Sequence, residues 1–391
     1  MRVLAGSTAN DGHFGPLVPF LRALTDAGHE VAVAAPESYA ATLGRTGFRH
    51  LPLADPPPQL IGPVMGRLPS MSFEEADATV IREVFGRIDA QAALPGAQEA
   101  VATWRPDVVL HEPAELATLA AAEARGVPHA QVVIGMSEVL ALMVGHLRAP
   151  LAELGALAGL PEDRLEAALL GQPMFSPVPT ALDRAGDPSF REDLDVRRFR
   201  DAAPSAPAGG QPLPVWGDPD APLVYVTFGS VTGSLPPFAG AFREALDALA
   251  EVPARILMTV GRQVDPAGLG PWPANAHVEA WWPQDEILAE ASALLGHGGF
   301  GTTLGALAAG VPQVVAPLFT GDQRINGRHV AAVGAGRTVD AGPDVVTRAA
   351  AEVPVVLGDA SYAGAARAVS QAMADLPPVS DAVAVLEGLV G

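Results

Sequence analysis

A repeated alternation of short, continuously apolar runs with amphipathic stretches constrains this chain more than any other feature, and it occurs in two series separated by one interruption. In the first series, residues 2–5, 31–35, 48–53, 107–111 and 128–134 read as buried strands. Between them, residues 16–27 place Leu17, Phe20, Leu21 and Leu24 on one helical face with Gly28 as the stop, and 74–103 and 114–125 also read as helical. Strand, helix and strand in that order make parallel βαβ units. From 202 to 222 the chain turns to Pro, Ala, Gly and Asp without an apolar period, as an exposed linker does. A second series follows, with strands at 223–228, 255–260, 277–280, 293–297 and 313–317 and helices at 238–250, 302–309 and 323–333. The 391 residues therefore read as an α/β chain of two Rossmann-like, doubly wound parallel-sheet domains facing each other across a cleft. The expected division is 1–205, a linker at 206–222, 223–375, and a tail at 376–391 that carries a helix over 381–389. A ligand shared by two such sheets sits at their C-terminal strand ends.

Composition removes several chemistries. The 24 basic residues against 44 acidic ones give a formal net charge of −20, which repels phosphate backbones and excludes nucleic acid as a partner. Every basic residue is Arg, so there is no lysine for a Schiff base, a P-loop or a kinase site. Cysteine is absent, which removes thiol nucleophiles, disulfides and thiolate metal sites. The apolar start, residues 1–5, runs straight into Gly6 and is too short for a signal peptide. No apolar run of about 20 residues appears either, so a cytoplasmic chain without a membrane span is expected. The triplets Asp193-Leu194-Asp195 and Asp218-Pro219-Asp220 follow no hydrophobic strand and read as a charged segment and a turn rather than a metal site. The nine His residues do not cluster and there is no Gly-x-Ser-x-Gly elbow, so no metal is expected and a serine hydrolase is excluded.

One segment carries a specific chemistry. After the apolar run ending at Leu295 comes Gly296-His297-Gly298-Gly299-Phe300-Gly301-Thr302-Thr303, then a helix-forming run. Strand, glycine loop and helix start form an anion site, because free amides and the positive helix end face the charge. A glycine-rich turn alone serves tight packing equally well. Upstream lies Trp281-Trp282-Pro283-Gln284 and downstream Thr320-Gly321-Asp322-Gln323, each at the end of an expected strand of the same domain. A Trp there offers a flat face to a nucleobase, and Asp322 with Gln323 offers partners to sugar hydroxyls. Singly, a Trp is more often core and Asp-Gln a solvated helix start.

Together with Gly12-His13-Phe14-Gly15-Pro16 and Thr227-Phe228-Gly229-Ser230, these segments follow a known order. Over nearly its whole length the chain resembles the nucleotide-sugar glycosyltransferases of the GT-B fold, and among them the actinobacterial enzymes that glycosylate polyketide and other antibiotic aglycones. The resemblance implies that Trp281 stacks on the base and Gln284 lies near base and ribose. It implies that Ser230, His297, Gly301 and Thr302 hold the diphosphate, that Gly229, Gly298 and Gly299 belong to the same nucleotide-sugar site, and that Asp322 and Gln323 hold the sugar. Plant relatives place a Glu eight residues after the phosphate-binding His to bond the ribose hydroxyls, and here that position is Gly305. That departure favours a dTDP-sugar over a UDP-sugar as co-substrate, with no other cofactor.

His13 follows the first expected strand, and an imidazole with an unperturbed pKa near ~6.5 can take a proton from an acceptor hydroxyl. A lone loop His is more often incidental; the resemblance makes it the catalytic base. Its implied partner is a carboxylate at a later strand end, which Glu112 supplies by holding the tautomer of His13 as in a catalytic triad. His111 competes for that role, and Glu112 could instead pair with an Arg. The expected reaction is transfer of a sugar or deoxysugar, with inversion, to a hydroxyl of a small hydrophobic aglycone. Residues 56–69 read as a mobile apolar lid or an ordinary surface loop, and 137–170 as acceptor-contacting loops. By analogy the helix at 381–389 crosses back onto the N-terminal domain, and a homodimer stays open. The rival readings are another GT-B enzyme such as a nucleotide-sugar epimerase, and an idle homologue that binds a partner transferase.

Overall fold

The computed structural model describes residues 1–187, 190–201, 212–229, 232–234, 238 and 240–391. It divides into two compact units, one of Met1–Pro177, Ser189–Ala202 and Leu376–Gly391 and the other of Val178–Pro188 and Ala203–Asp375.

In the first unit seven strands, β1 (Arg2–Gly6), β2 (Glu30–Pro36), β3 (Arg49–Leu53), β4 (Val108–His111), β5 (His129–Val132), β6 (Met174–Ser176) and β7 (Val196–Arg198), form one sheet in the order 3-2-1-4-5-6-7. Every pairing is parallel, with Gly6 of β1 opposite Ala34 of β2 and His111 of β4. Parallel sheets are covered on both faces, which is why Val3, Leu4 and Ala5 are all fully buried rather than alternating. Helix Val18–Asp26 buries Phe20, Leu21 and Leu24 on this sheet and stops before Gly28, whose φ of 85° suits a residue without Cβ. The C-terminal helix Asp381–Val390 adds Ala382, Val383 and Leu386 to the same core, tethered where Val379 N donates to Arg200 O at 3.1 Å.

Two segments differ from their sequence reading. Residues 56–69 are not a loop: Pro58–Arg67 is a helix. Pro58 fits its first turn, where the missing N–H costs nothing, and Ile61, Val64 and Met65 share one side at helical spacing. Residues 137–170 are mostly helical too, as Ser137–Leu157 and Arg164–Gly171. Helix Ser137–Leu157 is long and apolar enough to span a membrane, yet it carries Glu138, His146, Arg148 and Glu153 and buries Leu147, Leu151 and Leu154 in this unit. Arg87 ties it down by donating to both carboxylate oxygens of Glu153 at 2.8 and 2.7 Å. The helical region 74–103 contains an unexpected ten-residue π-helical stretch, Val80–Asp89, between helices Phe73–Thr79 and Ala90–Trp104.

The second unit holds β8 (Leu223–Thr227), β9 (Arg255–Thr259), β10 (Ala276–Glu279), β11 (Ala293–Gly296), β12 (Gln313–Val315) and β13 (Gly336–Thr338), ordered 10-9-8-11-12-13 and all parallel. Residues Val178–Pro188, read from sequence as part of the first domain, belong here. Leu182 is fully buried, its carbonyl accepts from His329 Nδ1 at 2.9 Å, and Gly186 O accepts from Arg328 Nη1 at 2.8 Å.

Candidate active site

In the first unit the chemistry gathers where β1 and β4 end side by side. After Gly6 the chain turns through Ser7–Asn10, and Asn10 caps the short helix Asp11–Phe14 by accepting from Gly12 N at 2.8 Å. His13 sits on that turn. Its Nδ1 lies 3.1 Å from Oε2 of Glu112, the first residue after β4. Glu112 is fully buried, with Oε1 accepting from Thr8 N at 3.1 Å and Oε2 from Ala114 N at 2.7 Å. Burial alone would raise this carboxyl, but the charge and hydrogen bond of His13 and the two backbone amides outweigh it and hold Glu112 ionised, below the usual range. His111, the competing candidate, is buried elsewhere, with Nδ1 3.1 Å from Glu112 O and Nε2 3.0 Å from Gln172 Oε1. Burial, followed by the charge of His129, lowers its pKa to about 4.

An apolar cavity of about 290 Å³ opens beside Thr8 and Ala114. Ile61 and Met65 wall it from helix Pro58–Arg67, Val84 and Phe85 from the π-helical stretch, and Glu115 and Leu116 from the turn after β4. Phe85 packs on His13 with ring centroids 5.4 Å apart. A base paired with a buried carboxylate beside a greasy cavity is equipped to deprotonate a hydroxyl on an apolar molecule.

In the second unit β8, β11 and β12 are adjacent, and Gly296 pairs with both Thr227 and Val315, so the loops that follow these strands converge. His297 is buried between two glycine backbones: a Cβ on Gly229 would lie 2.9 Å from its ring and one on Gly299 2.4 Å. Burial lowers its imidazole to about 4, against the pull of a hydrogen bond with Thr227, so it stays neutral. Gly298 has φ +87° and a backbone that packs where a Cβ would meet Gln323 O at 2.7 Å, while Asn326 Nδ2 donates to Gly298 O at 2.8 Å. The loop is thereby held so that helix Phe300–Ala308 starts with Gly299 as its N-cap and the amides of its first turn, Gly301 and Thr302 included, unused within the helix.

Thr302 Oγ1 donates to Gln284 Oε1 at 3.3 Å, which joins the base-side segment to the phosphate-side one. Gly305 makes room for this: a Cβ there would lie 2.7 Å from Gln284 Nε2. Trp281 is half-exposed, with the Arg262 guanidinium 3.9 Å from the ring centroid on one face. Its neighbour Trp282 instead packs into the core and donates to Glu286 at 2.9 Å. Asp322 and Gln323 open helix Gly321–Ala332. Gln323 is buried, and its Oε1 already accepts from Leu318 N at 2.7 Å and Phe319 N at 3.1 Å, so this oxygen shapes the strand-end loop. Ser230 lies outside the described residues.

Models of a family described as erythromycin biosynthesis protein CIII-like match residues 22–173, as its N-terminal domain, and 243–389, as its C-terminal domain. The chain belongs to this family. It is 32% identical to the L-demethylnoviosyl transferase of Streptomyces niveus over 386 residues, covering 96% of this chain and 93% of that one. The glycosyltransferase VinC, solved in complex with dTDP, superposes with a TM-score of 0.77 at 23% identity, over 100% of this chain and 99% of VinC. The spinosyn rhamnosyltransferase SpnG, solved with spinosyn aglycone, superposes with a TM-score of 0.78 at 22% identity, over 99% and 100%. The CIII-like family places the chain among natural-product glycosyltransferases, and its two parallel-sheet units have the GT-B fold.

The two Asp-x-Asp triplets have other partners. Asp193 pairs with Arg191, Asp195 accepts from Arg197 Nη2 at 3.0 Å, and Asp218 caps its own turn by accepting from Asp220 N at 3.0 Å.

The sequence does not mark two further carboxyls, one half-buried and one buried. Asp89 ends the π-helical stretch and lines the cavity. Glu115 is fully enclosed, accepting from Ala117 N at 3.0 Å and from Thr118 N and Oγ1. Burial raises Glu115 from 4.5 to about 7, against the pull of its hydrogen bonds with Thr118 and Ala117. An acid that keeps its proton to about 7 when folded favours the folded state below its unfolded pKa of 4.5, and that contribution fades as pH rises through 7. Glu115→Gln retains an oxygen for the helix amides and carries no charge. Thermal melts should show it more stable than wild type at pH 8, by on the order of 3 kcal/mol, and equal to it near pH 4.5. The same shift at both pH values would disprove the charge-burial account.

Proposed function

We propose that this glycosyltransferase moves a sugar or deoxysugar from a dTDP-sugar to a hydroxyl of a hydrophobic natural-product aglycone, with inversion and with His13 as the base. The observation that carries the reading is the buried, ionised Glu112 at 3.1 Å from His13 Nδ1 beside an apolar cavity. Glu112 keeps the Nδ1 proton in place, so Nε2 presents a lone pair to the acceptor hydroxyl. The acceptor O–H bond breaks and its proton passes to Nε2. The oxygen bonds to the anomeric carbon on the face opposite the diphosphate, and the anomeric C–O bond breaks with its electron pair leaving on the diphosphate. The charge that develops there meets the amides at the start of helix Phe300–Ala308 and the Thr302 hydroxyl, an electrostatic role that requires no movement during reaction.

Two supports point to dTDP. VinC, a structural neighbour, was solved with dTDP. Gly305 is occupied by the Gln284 amide rather than by a carboxylate that would read a ribose 2′-hydroxyl. The aglycone class follows from the cavity's apolar walls and from the spinosyn aglycone bound by SpnG. The test is titration with dTDP and with UDP, EDTA present, on wild type and Trp281→Ala by calorimetry. Wild type should bind dTDP more tightly than UDP, and Trp281→Ala should weaken dTDP by about tenfold or more through lost base stacking. Failure of wild type to bind either nucleotide would overturn the donor assignment.

A further inference from the structure

We infer that Asp89 determines acceptor specificity, its buried Oδ1 accepting a hydrogen bond from a second hydroxyl on the acceptor beside the one that reacts at His13. The inference rests on the reading of the first unit's cavity as the acceptor site.

The cavity is mostly apolar, and among the described residues that line it two hold a buried polar atom with no hydrogen-bond partner, Asp89 at Oδ1 and Thr8 at Oγ1. Other cavity-lining polar groups are already used, Glu115 by Thr118 and Ala117 and Asn10 by Gly12. A buried acceptor left unpaired forfeits its hydration without return, so such atoms in native structures call for a ligand or a water to complete them. Asp89 also ends a π-helical stretch, a rare geometry that recurs at functional sites. Phe85, four residues earlier on the same stretch, packs on the His13 ring. The charges of His13 and Glu112 both act on the Asp89 carboxyl, which burial raises to about 6. Asp89 therefore belongs to the neighbourhood of the reacting hydroxyl.

The donor that Asp89 meets is a hydroxyl rather than an ammonium. His13 becomes an imidazolium as it takes the acceptor proton, and a second cation next to it would oppose that step. A hydroxyl supplies the missing hydrogen bond without that repulsion, and Asp89 lines the cavity together with Phe85, whose ring packs on His13.

The test uses the full chain and two probes that differ by one group, 2-naphthol and naphthalene-2,3-diol, with dissociation constants measured by calorimetry on wild type, Asp89→Leu and Asp89→Asn. Wild type is expected to bind the diol about tenfold more tightly than the naphthol. Asp89→Leu should abolish that preference while leaving 2-naphthol binding unchanged or improved, and Asp89→Asn, which retains an acceptor oxygen, should keep part of it. Equal affinity of wild type for the two probes overturns the inference, as does an equal loss for both in Asp89→Leu, the mark of a merely structural role. If wild type binds neither probe, the acceptor reading of the cavity fails and the inference falls with it.

Discussion

His13→Ala is expected to lower kcat by about two to four orders of magnitude, the usual range for loss of a positioned general base. Affinity for dTDP should not change, because the residues assigned to the nucleotide all belong to the second unit while His13 belongs to the first. The fold should also hold: His13 lies on a four-residue turn capped by Asn10, its side chain is only partly buried, and the capping bond from Gly12 N does not involve it. Glu112 would keep its two backbone donors, Thr8 N and Ala114 N, so the truncation does not strand it unpaired. The discriminating measurement is kcat with a saturating acceptor, alongside calorimetric binding of dTDP. A variant with normal dTDP binding and a collapsed kcat isolates the proton-transfer step. Full turnover by His13→Ala would remove the base from the mechanism and leave positioning of the two substrates as the source of rate.

Much of this architecture was legible because parallel sheets write their strands as uninterrupted apolar runs. Arg2–Gly6, Leu223–Thr227 and Ala293–Gly296 could be placed almost to the residue for that reason. Strands β6, β7 and β13 were not seen, since each is three residues long and Val196–Arg198 and Gly336–Thr338 carry arginines, so no apolar run marks them. Helix Pro58–Arg67 was hidden by its own prolines: Pro58 starts it, but Pro63 inside it reads as a breaker, and tertiary packing of Val64 overrides that local cost. At the candidate site the glycines were legible as a loop, and the structure adds why Gly229, Gly298 and Gly299 are needed, His297 being held between Gly229 and Gly299 and the Gly298 backbone packing against Gln323. What a motif does not reveal is which atom is already engaged. Gln323 reads as a sugar partner, and its oxygen lies on two backbone amides, so its side-chain NH2 is the group left to meet a sugar hydroxyl. Asp89 shows the opposite failure. It stands four residues after Phe85 and eight after Ile81, on the side of the helix that carries apolar residues, and an acid at such a position was the available signal.

Glu112→Gln separates the carboxylate's two tasks, holding the loop and stabilising the charge on His13. Both carboxylate oxygens face donors, Oε1 the amide of Thr8 and Oε2 the amide of Ala114 together with His13 Nδ1. Glutamine has one oxygen, so its NH2 must face a donor on one side. With the NH2 toward His13 it opposes the Ala114 amide and forces Nδ1 to accept, which moves the imidazole proton to Nε2 and removes the lone pair that takes the acceptor proton. With the NH2 toward Thr8 the tautomer survives, but one buried amide loses its acceptor, at a cost of about 1–3 kcal/mol. In either arrangement the imidazolium formed during the reaction has lost its buried counter-charge. The expected result is a kcat reduced by about two to three orders of magnitude, with a melting temperature a few degrees lower. A second readout excludes a purely structural effect. The wild-type carboxylate favours the protonated imidazole, so in Glu112→Gln the acid limb of the kcat/KM profile should move to lower pH even though the maximum rate is depressed. A depressed rate with the limb unmoved would mean that Glu112 only braces the loop between Thr8 and Ala114, and the charge-stabilising half of the proposal would have to be given up.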